Sequence, residues 1–240
     1  MGAIIFWLLL WQIASLLIGE ELFLPSPLRV LATLFTLLGE KGFWASIAFS
    51  LERVALGFIL SLALAVVGAI ISCRFIWFEI LIDPMMKTIK ATPVASIVIL
   101  ILVWISSRNL SVIISMLIVL PVIYTNVLEG LKSTDRSLLE MADNYRVRFS
   151  KRARYIYVPS VAPYFLSGMK IALGLSWKSA IAAEVIGMPD GSIGERLYEA
   201  KVYLSTPSLF AWTLVIIALA ALFERLVLTL AERAVERVVR

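Results

Sequence analysis

The sequence contains no histidine and only one cysteine, Cys73, among its 240 residues. Without histidine the chain lacks the commonest metal ligand and the usual general base at neutral pH, which argues against a membrane-embedded enzyme. A single cysteine excludes an intrachain disulfide and leaves the redox compartment open. The sequence also has no G-x-x-x-x-G-K-[ST] phosphate loop, so it carries no nucleotide site of that kind.

Charged residues are scarce as well. They make up 16% of the chain, against roughly 25% in an ordinary globular protein. Hydrophobic residues reach 61% and the mean hydropathy is +0.95. Such a chain has too few polar residues to cover a surface that faces water, so most of it must lie in lipid. The net charge of +5 is local and lies between apolar runs, which disfavours nucleic acid as a partner.

Long apolar runs occupy most of the chain. A bilayer core about 30 Å thick needs roughly 20 apolar residues in a helix, and these runs lack the alternation of a barrel strand. We therefore predict an all-α polytopic membrane protein with six transmembrane helices. Because its start has neither a basic region nor a cleavage site, we expect the first run to be a retained helix. The six predicted spans are 3–19, 54–73, 84–105, 110–128, 159–186 and 208–230.

The connections differ in charge. Segment 131–158 holds seven basic and three acidic residues, whereas 20–53 and 187–207 lean acidic. The positive-inside rule then places 131–158 and both termini in the cytoplasm. An interfacial amphipathic helix is expected from 25 to 39, and a short external helix from about 193 to 203.

Small residues recur at every fourth position in two predicted spans. Small side chains let helices approach closely in lipid, so packing is the simpler interpretation; lining a solute path is the alternative. The residues are Gly57, Ser61, Ala65 and Ala69 in one span, and Gly168, Ala172, Ser176 and Ala180 in the other.

One motif lies in the basic connection. Glu140, Met141 and Ala142 are followed after three residues by Arg146, and after nine more by "IYVP" at 156–159. This spacing resembles the cytoplasmic signature of ABC importer permeases: Glu-Ala-Ala, three residues, Gly, nine residues, Ile, one residue, Leu, Pro. Arg146 replaces a glycine that permits a tight turn. Further stretches, over about 22–230, resemble the nitrate, sulfonate and taurine branch: "LPSP" at 24–27, "SLERVALGF" at 50–58, "DPMMKTIKATPVA" at 83–95 and "LGLSWKSAIAAEVIG" at 173–187.

The resemblance implies one permease domain over 1–240, without enzymatic activity, in a prokaryotic cytoplasmic (inner) membrane. The implied partners are two ATP-binding subunits, which would hold ATP and Mg, an extracytoplasmic substrate-binding protein and a second copy in a homodimer. Segment 131–158 would be the coupling helix that docks on the ATPase, with apolar residues at i, i+4 and i+8 as its anchor. The expected coupling residues are Glu140, Met141, Ala142, Tyr145, Arg146, Phe149, Ile156 and Pro159.

Polar residues inside the spans are candidates for a translocation path. Pro93 frees a backbone carbonyl that needs a partner, and the charge of Lys178 would suit a small polar anion such as sulfonate, nitrate or taurine. A heterocyclic substrate stays open. So does a purely structural role of Lys178, which would pair with Glu129 or with the other subunit, or extend its charge toward the membrane interface. The alternative function is an ion-coupled secondary transporter with Lys178 and Glu184 as a relay, although no inverted repeat is visible. The path candidates are Thr92, Pro93, Ser96, Ser176, Lys178, Ser179 and Glu184.

Overall fold

The computed structural model describes residues 2–239, and these form helices and short connections without any strand. The predicted all-α class is confirmed. The eleven α-helices in this range are α1 (Gly2–Ile18), α2 (Pro27–Leu38), α3 (Phe43–Arg74), α4 (Ile76–Ala91), α5 (Val94–Leu102), α6 (Leu110–Lys132), α7 (Arg136–Asn144), α8 (Phe149–Arg152), α9 (Val158–Gly187), α10 (Ile193–Val202) and α11 (Thr206–Val239).

Four helical stretches are long and apolar enough to cross a membrane, against the six that were predicted. They are Phe43–Arg74, Ser107–Lys132, Phe149–Gly187 and Thr206–Val238, and α4 with α5 makes a fifth if the bent pair is one span. The first predicted span is the 17-residue α1. At 1.5 Å per residue it is about 25 Å long, which is short for the hydrocarbon core.

The predicted third span, 84–105, is not one straight helix. It breaks at Thr92 and Pro93, and the axes of α4 and α5 differ by 104°. Proline disfavours the helical conformation in the residue before it, and Thr92 is extended, with φ −80° and ψ 130°. Pro93 also lacks the N–H that would continue the helical ladder. The prediction of a continuous span was therefore wrong at this point.

The core of the bundle is formed by α3, α6 and α9. A Cβ added at Gly57 would overlap the Val112 carbonyl oxygen, and one at Gly168 would press on Asn126, so backbones meet closely at both positions. All eight small residues of the two predicted stripes are buried. The packing interpretation of these stripes is therefore confirmed within the chain.

The helices that could cross a membrane run alternately in opposite directions between two ends of the molecule. At one end, which we call the basic end, the segment 133–157 joins α6 to α9, and Lys132 pairs with Glu79 of α4 at 2.5 Å. Arg154 Nε donates to the Val238 carbonyl of α11 over 2.7 Å at this end. At the opposite end α10 lies beside the start of α3, where Arg196 Nε approaches Ser46 Oγ at 3.5 Å.

Two shorter predicted helices are present. The amphipathic helix expected over 25–39 is α2, which Ser26 caps by accepting from Arg29 N–H at 3.2 Å, and which begins with Pro27. The helix expected over 193–203 is α10, capped by Ser192. Both lie at the opposite end from segment 133–157, since Leu22 accepts from Thr206 at the start of α11.

Candidate functional site

The predicted coupling segment begins with the short helix α7. Asp135 caps it by accepting from Ser137 N–H at 2.8 Å. Of the nine residues of α7 only Ala142 is buried, at 1% exposure, whereas Glu140 faces outward. The helix therefore rests on the bundle through Ala142 and the half-buried Leu139, and presents the rest of its surface to solvent or to a partner.

Helix α7 ends in a tight turn at Arg146. This residue has φ +50°, the left-handed region. Arg146 N–H donates to the Asp143 carbonyl at 3.0 Å, and Val147 N–H donates to the Ala142 carbonyl at 2.9 Å. This pair of bonds defines a Schellman motif, in which the left-handed position is usually glycine. The turn therefore has the geometry for which the signature glycine is suited, and Arg146 adopts it at a conformational cost.

Three large side chains of this segment stand exposed. Met141 is 50% exposed, Tyr145 79% and Phe149 78%. The prediction placed them on one helix at i, i+4 and i+8, and this is wrong: they belong to α7, to its C-cap and to the start of α8. The helix cannot continue through the left-handed Arg146. These three residues, called the apolar trio below, nevertheless remain uncovered in the described chain.

The last two signature residues lie where the connection enters the membrane span. Residues Ala153–Tyr157 form a π-helical turn between α8 and α9, so that Phe149–Gly187 is one continuous helix. Ile156 and Pro159 are half-buried in this region. Because Pro159 has no N–H, the helical ladder has to adjust near it, and π turns are a common form of such an adjustment.

Sequence reasoning missed Arg152. Its Nε donates to the Val147 carbonyl at 2.8 Å and its Nη2 to the Ala142 carbonyl at 3.0 Å, while Nη1 pairs with the Asp143 carboxylate. In the sequence the basic residues of 131–158 indicate only the orientation of the segment, and for that purpose they are all equivalent. Only the folded turn brings three acceptors to one of them.

Four of the path candidates reach the surface of the chain. Thr92 is half-buried and donates to the Thr88 carbonyl at 2.8 Å. Pro93 and Ser96 at the α4–α5 break are exposed, as is Lys178 on α9. Lys178 has no ion pair with any residue of 2–239, and the suggested partner Glu129 has none either.

The other three path candidates lie inside the bundle. Ser176 is bonded to Ser115 of α6 at 3.0 Å, and Ser179 donates to the Ser176 carbonyl at 3.2 Å. Glu184 is fully buried. The seven candidates are thus divided between the surface and the interior, and the structure does not gather them in one cavity.

Glu184 joins four helices at the end opposite the basic end. Its carboxylate accepts from Ser50 of α3 at 2.7 Å, from Ser111 of α6 at 2.9 Å and from the backbone N–H of Gly194 at 3.2 Å. Ser50 Oγ in turn accepts from Ile193 N–H at 3.0 Å. Two of the unpaired N–H groups at the start of α10 are satisfied in this way, which is what a helix N-terminus requires.

The comparison with protein families decides what kind of protein this is. The family described as "Binding-protein-dependent transport system inner membrane component" matches residues 57–240, which is most of the chain. The chain belongs to this family of ABC importer permeases.

Individual permeases agree over a larger part of the chain. It is 26% identical to the taurine transport system permease protein of Escherichia coli, over 89% of this chain and 80% of that protein. It is 27% identical to the formylaminopyrimidine transport permease protein of Halalkalibacterium halodurans, over 85% and 81%. The nitrate import permease protein of Synechococcus elongatus is 26% identical, over 81% and 73%.

Membership in the permease family favours the ABC importer over the secondary transporter. The site agrees, because a relay of Lys178 and Glu184 would need the two groups to communicate. Glu184 is instead enclosed by serine and backbone donors, and Lys178 lies on the surface. The permease is a multi-pass membrane component of a transport system that works with a substrate-binding protein and an ATPase.

Proposed function

We propose that the chain is the permease subunit of an ATP-driven importer and that segment 131–158 couples it to a cytoplasmic ATPase. The observation that carries this proposal is the exposed apolar trio on a segment that continues directly into a span. A working assembly would contain two permease copies, two ATPase subunits that hold ATP and Mg, and an extracytoplasmic binding protein. The permease itself binds no nucleotide in this arrangement.

The apolar trio supplies the means of docking. Met141, Tyr145 and Phe149 together expose large apolar surfaces beside charged neighbours, as an apolar anchor held in a partner's groove would do. Phe149 also begins the continuous helix that ends at Gly187. A push on the docked segment would therefore reach α9 without passing through a flexible connection on that side.

Glu140→Lys tests the docking role. Glu140 is exposed on α7 beside Met141, and the change adds two positive charges to a connection that is already basic. We expect normal insertion of the spans, because Glu140 lies outside them, together with loss of ATPase association or of substrate-stimulated ATP hydrolysis. Copurification and hydrolysis with the full assembly measure this.

The matched control is Glu20→Lys, at an exposed glutamate near the opposite end. It should leave both association and hydrolysis unchanged. Full coupling in Glu140→Lys, or an equal loss in Glu20→Lys, would contradict the docking role.

The exposed side of α9 suggests where the solute passes. Lys170 and Lys178 are both exposed there and neither has an ion pair among residues 2–239. They are about 12 Å apart along the helix and about 80° apart around it, so they lie on the same side. A charge at a helix centre costs roughly 2.5–3.5 kcal/mol on insertion scales. We infer that this side faces the second permease copy across a polar path.

Two lysines without carboxylate partners among the described residues favour an anionic solute, in line with sulfonate, taurine or nitrate. Lys178→Met should lower anion uptake by a permease that still assembles, because it removes half of this positive charge. Uptake into proteoliposomes measures the loss. The control is Lys41→Met, which changes an exposed lysine in the connection between α2 and α3. Normal anion uptake by Lys178→Met would leave a neutral heterocycle as the better candidate.

A further inference from the structure

The side chain of Arg152 connects α7 to the continuous helix Phe149–Gly187. It belongs to α8, the first turn of the continuous helix Phe149–Gly187, and its guanidinium reaches back to the end of α7. We propose that Arg152 is a positioning residue that transmits movement of α7 to α9. This inference rests on the proposed coupling function of segment 131–158, and it assigns the connection within that segment to one side chain.

The geometry suits a firm connection. Nη2 binds the Ala142 carbonyl at 3.0 Å, Nε binds the Val147 carbonyl at 2.8 Å, and Nη1 pairs with the Asp143 carboxylate. The Ala142 carbonyl, which also accepts from Val147 N–H, lies in the last turn of α7, where a cation is favoured by the helix dipole. The guanidinium presents its donors in a rigid plane, so one side chain fixes both the position and the direction of the end of α7.

Little else holds α7 against the span helix. Ala142 is its only buried residue, and only residues 145–148 separate α7 from α8. Without a further connection, α7 could pivot about the left-handed turn at Arg146 when a partner pushes it. The Arg152 side chain, which is 23% exposed, closes this turn from the inside.

The neighbouring basic residues do not share this role. Arg148 and Lys151 flank Arg152 closely in sequence, are exposed, and make no side-chain hydrogen bond or ion pair within 2–239. A positive charge near the turn is therefore not sufficient. Arg152→Lys keeps the charge and loses the planar set of donors, whereas Lys151→Gln removes a charge and leaves the connection intact.

The test uses the complete assembly in proteoliposomes, with ATPase copurification and binding-protein-stimulated ATP hydrolysis as separate readouts. For Arg152→Gln and Arg152→Lys we expect the ATPase to copurify and its basal hydrolysis to persist, while stimulation falls about tenfold, the scale of a lost charged hydrogen bond. Lys151→Gln should match the unmodified assembly. An Arg152→Gln assembly that copurifies and stays fully stimulated overturns the inference and leaves the docking function standing.

A reversible cross-link separates transmission from simple folding. In a Cys73→Ser background, Asp143→Cys with Arg152→Cys should behave like Arg152→Gln. A short reducible bis-maleimide that joins the two cysteines should restore stimulation, and reduction of the linker should abolish it again. If the cross-linked assembly copurifies but regains no stimulation, Arg152 is not the connection. If Arg152→Gln also loses the ATPase, the cross-linked double variant decides. A positioning role predicts that copurification and stimulation both return when the linker joins the two cysteines.

Discussion

Arg146 occupies a backbone conformation that ordinary residues avoid. Its φ of +50° and the two hydrogen bonds of the Schellman motif are set by the way α7 must end. A left-handed conformation costs an L-residue with a Cβ roughly 1–2 kcal/mol, and glycine adopts it freely. The departure from the permease signature at this position therefore changes the residue and keeps the turn.

Arg146→Gly should for this reason stabilise the chain, by about 1 kcal/mol after the greater freedom of glycine in the unfolded chain is subtracted. A higher Tm of the purified permease in detergent measures this, and coupling should be retained. The control is Arg148→Gly, where φ is −59° and ψ 144°. That change relieves no strain and should not raise the Tm, so equal stabilisation by both variants would count against the strain at Arg146.

For single residues, the sequence shows what a side chain does less reliably than it shows that the side chain is unusual. Its position inside a predicted span singles out Glu184 from the sequence, but the interpretation as a path residue uses only its charge. Its three donors come from Ser50, Ser111 and Gly194, which are distant in sequence or lie beyond a turn. Such a constellation exists only after the helices have packed. Arg152 was missed for the same reason, since its acceptors are backbone carbonyls, which every sequence contains.

Helices were largely predictable because apolar periodicity and caps are local signals. The bounds of α2 and α10 follow from Ser26 with Pro27 and from Ser192. The break between α4 and α5 could not be predicted from local signals. Proline is tolerated within membrane helices when neighbours satisfy the freed carbonyl, so Pro93 alone does not show that the helix ends. Helix α4 itself contains Pro84 without breaking. Which proline bends a helix is decided by packing.

Helix α10 is held against α9 by backbone contact at Gly194. A Cβ at this position would overlap Glu184 and the backbone N of Val185. Gly194→Ala should therefore push α10 away, lengthen the Gly194 N–H bond to Glu184 and destabilise the chain by about 1–3 kcal/mol, the usual cost of overpacking. A lower Tm, together with faster hydrogen exchange of residues 191–202, is the expected result.

Gly174→Ala on α9 is the matched control, because beyond its chain neighbours and the adjoining backbone of α9 no described atom lies within 4 Å of the added Cβ. It should leave Tm and exchange unchanged, or raise stability slightly through the higher helix propensity of alanine. If Gly194→Ala is as stable as Gly174→Ala, the close contact of α10 with α9 is not a determinant of the fold.

The molecule as a whole has one basic and one acidic-leaning end, and the crossings connect them in alternation. Helices α3, α6 and α11 run toward the basic end, whereas the α4–α5 pair and α9 run away from it. This alternation could be predicted from apolar runs and charges. Which side of α9 would face the proposed second copy could not be predicted, because the exposed side of α9 is decided only when the helices pack.

The orientation of the permease in the membrane follows from this alternation and gives the last prediction. Segment 133–157 and residues 188–205 lie at opposite ends of α9, so they must be on opposite sides of the bilayer. The first carries a net positive charge and the second a net negative one, so the positive-inside rule places the first in the cytoplasm.

In a Cys73→Ser background, Ser150→Cys and Asp190→Cys both put the label at exposed positions without side-chain bonds. An impermeant maleimide applied to intact cells should modify Asp190→Cys and spare Ser150→Cys, and membrane disruption should make both reactive. Labelling of Ser150→Cys from outside would reverse the orientation and remove the cytoplasmic ATPase from reach of the apolar trio; labelling of both from outside would contradict the crossing by α9 itself.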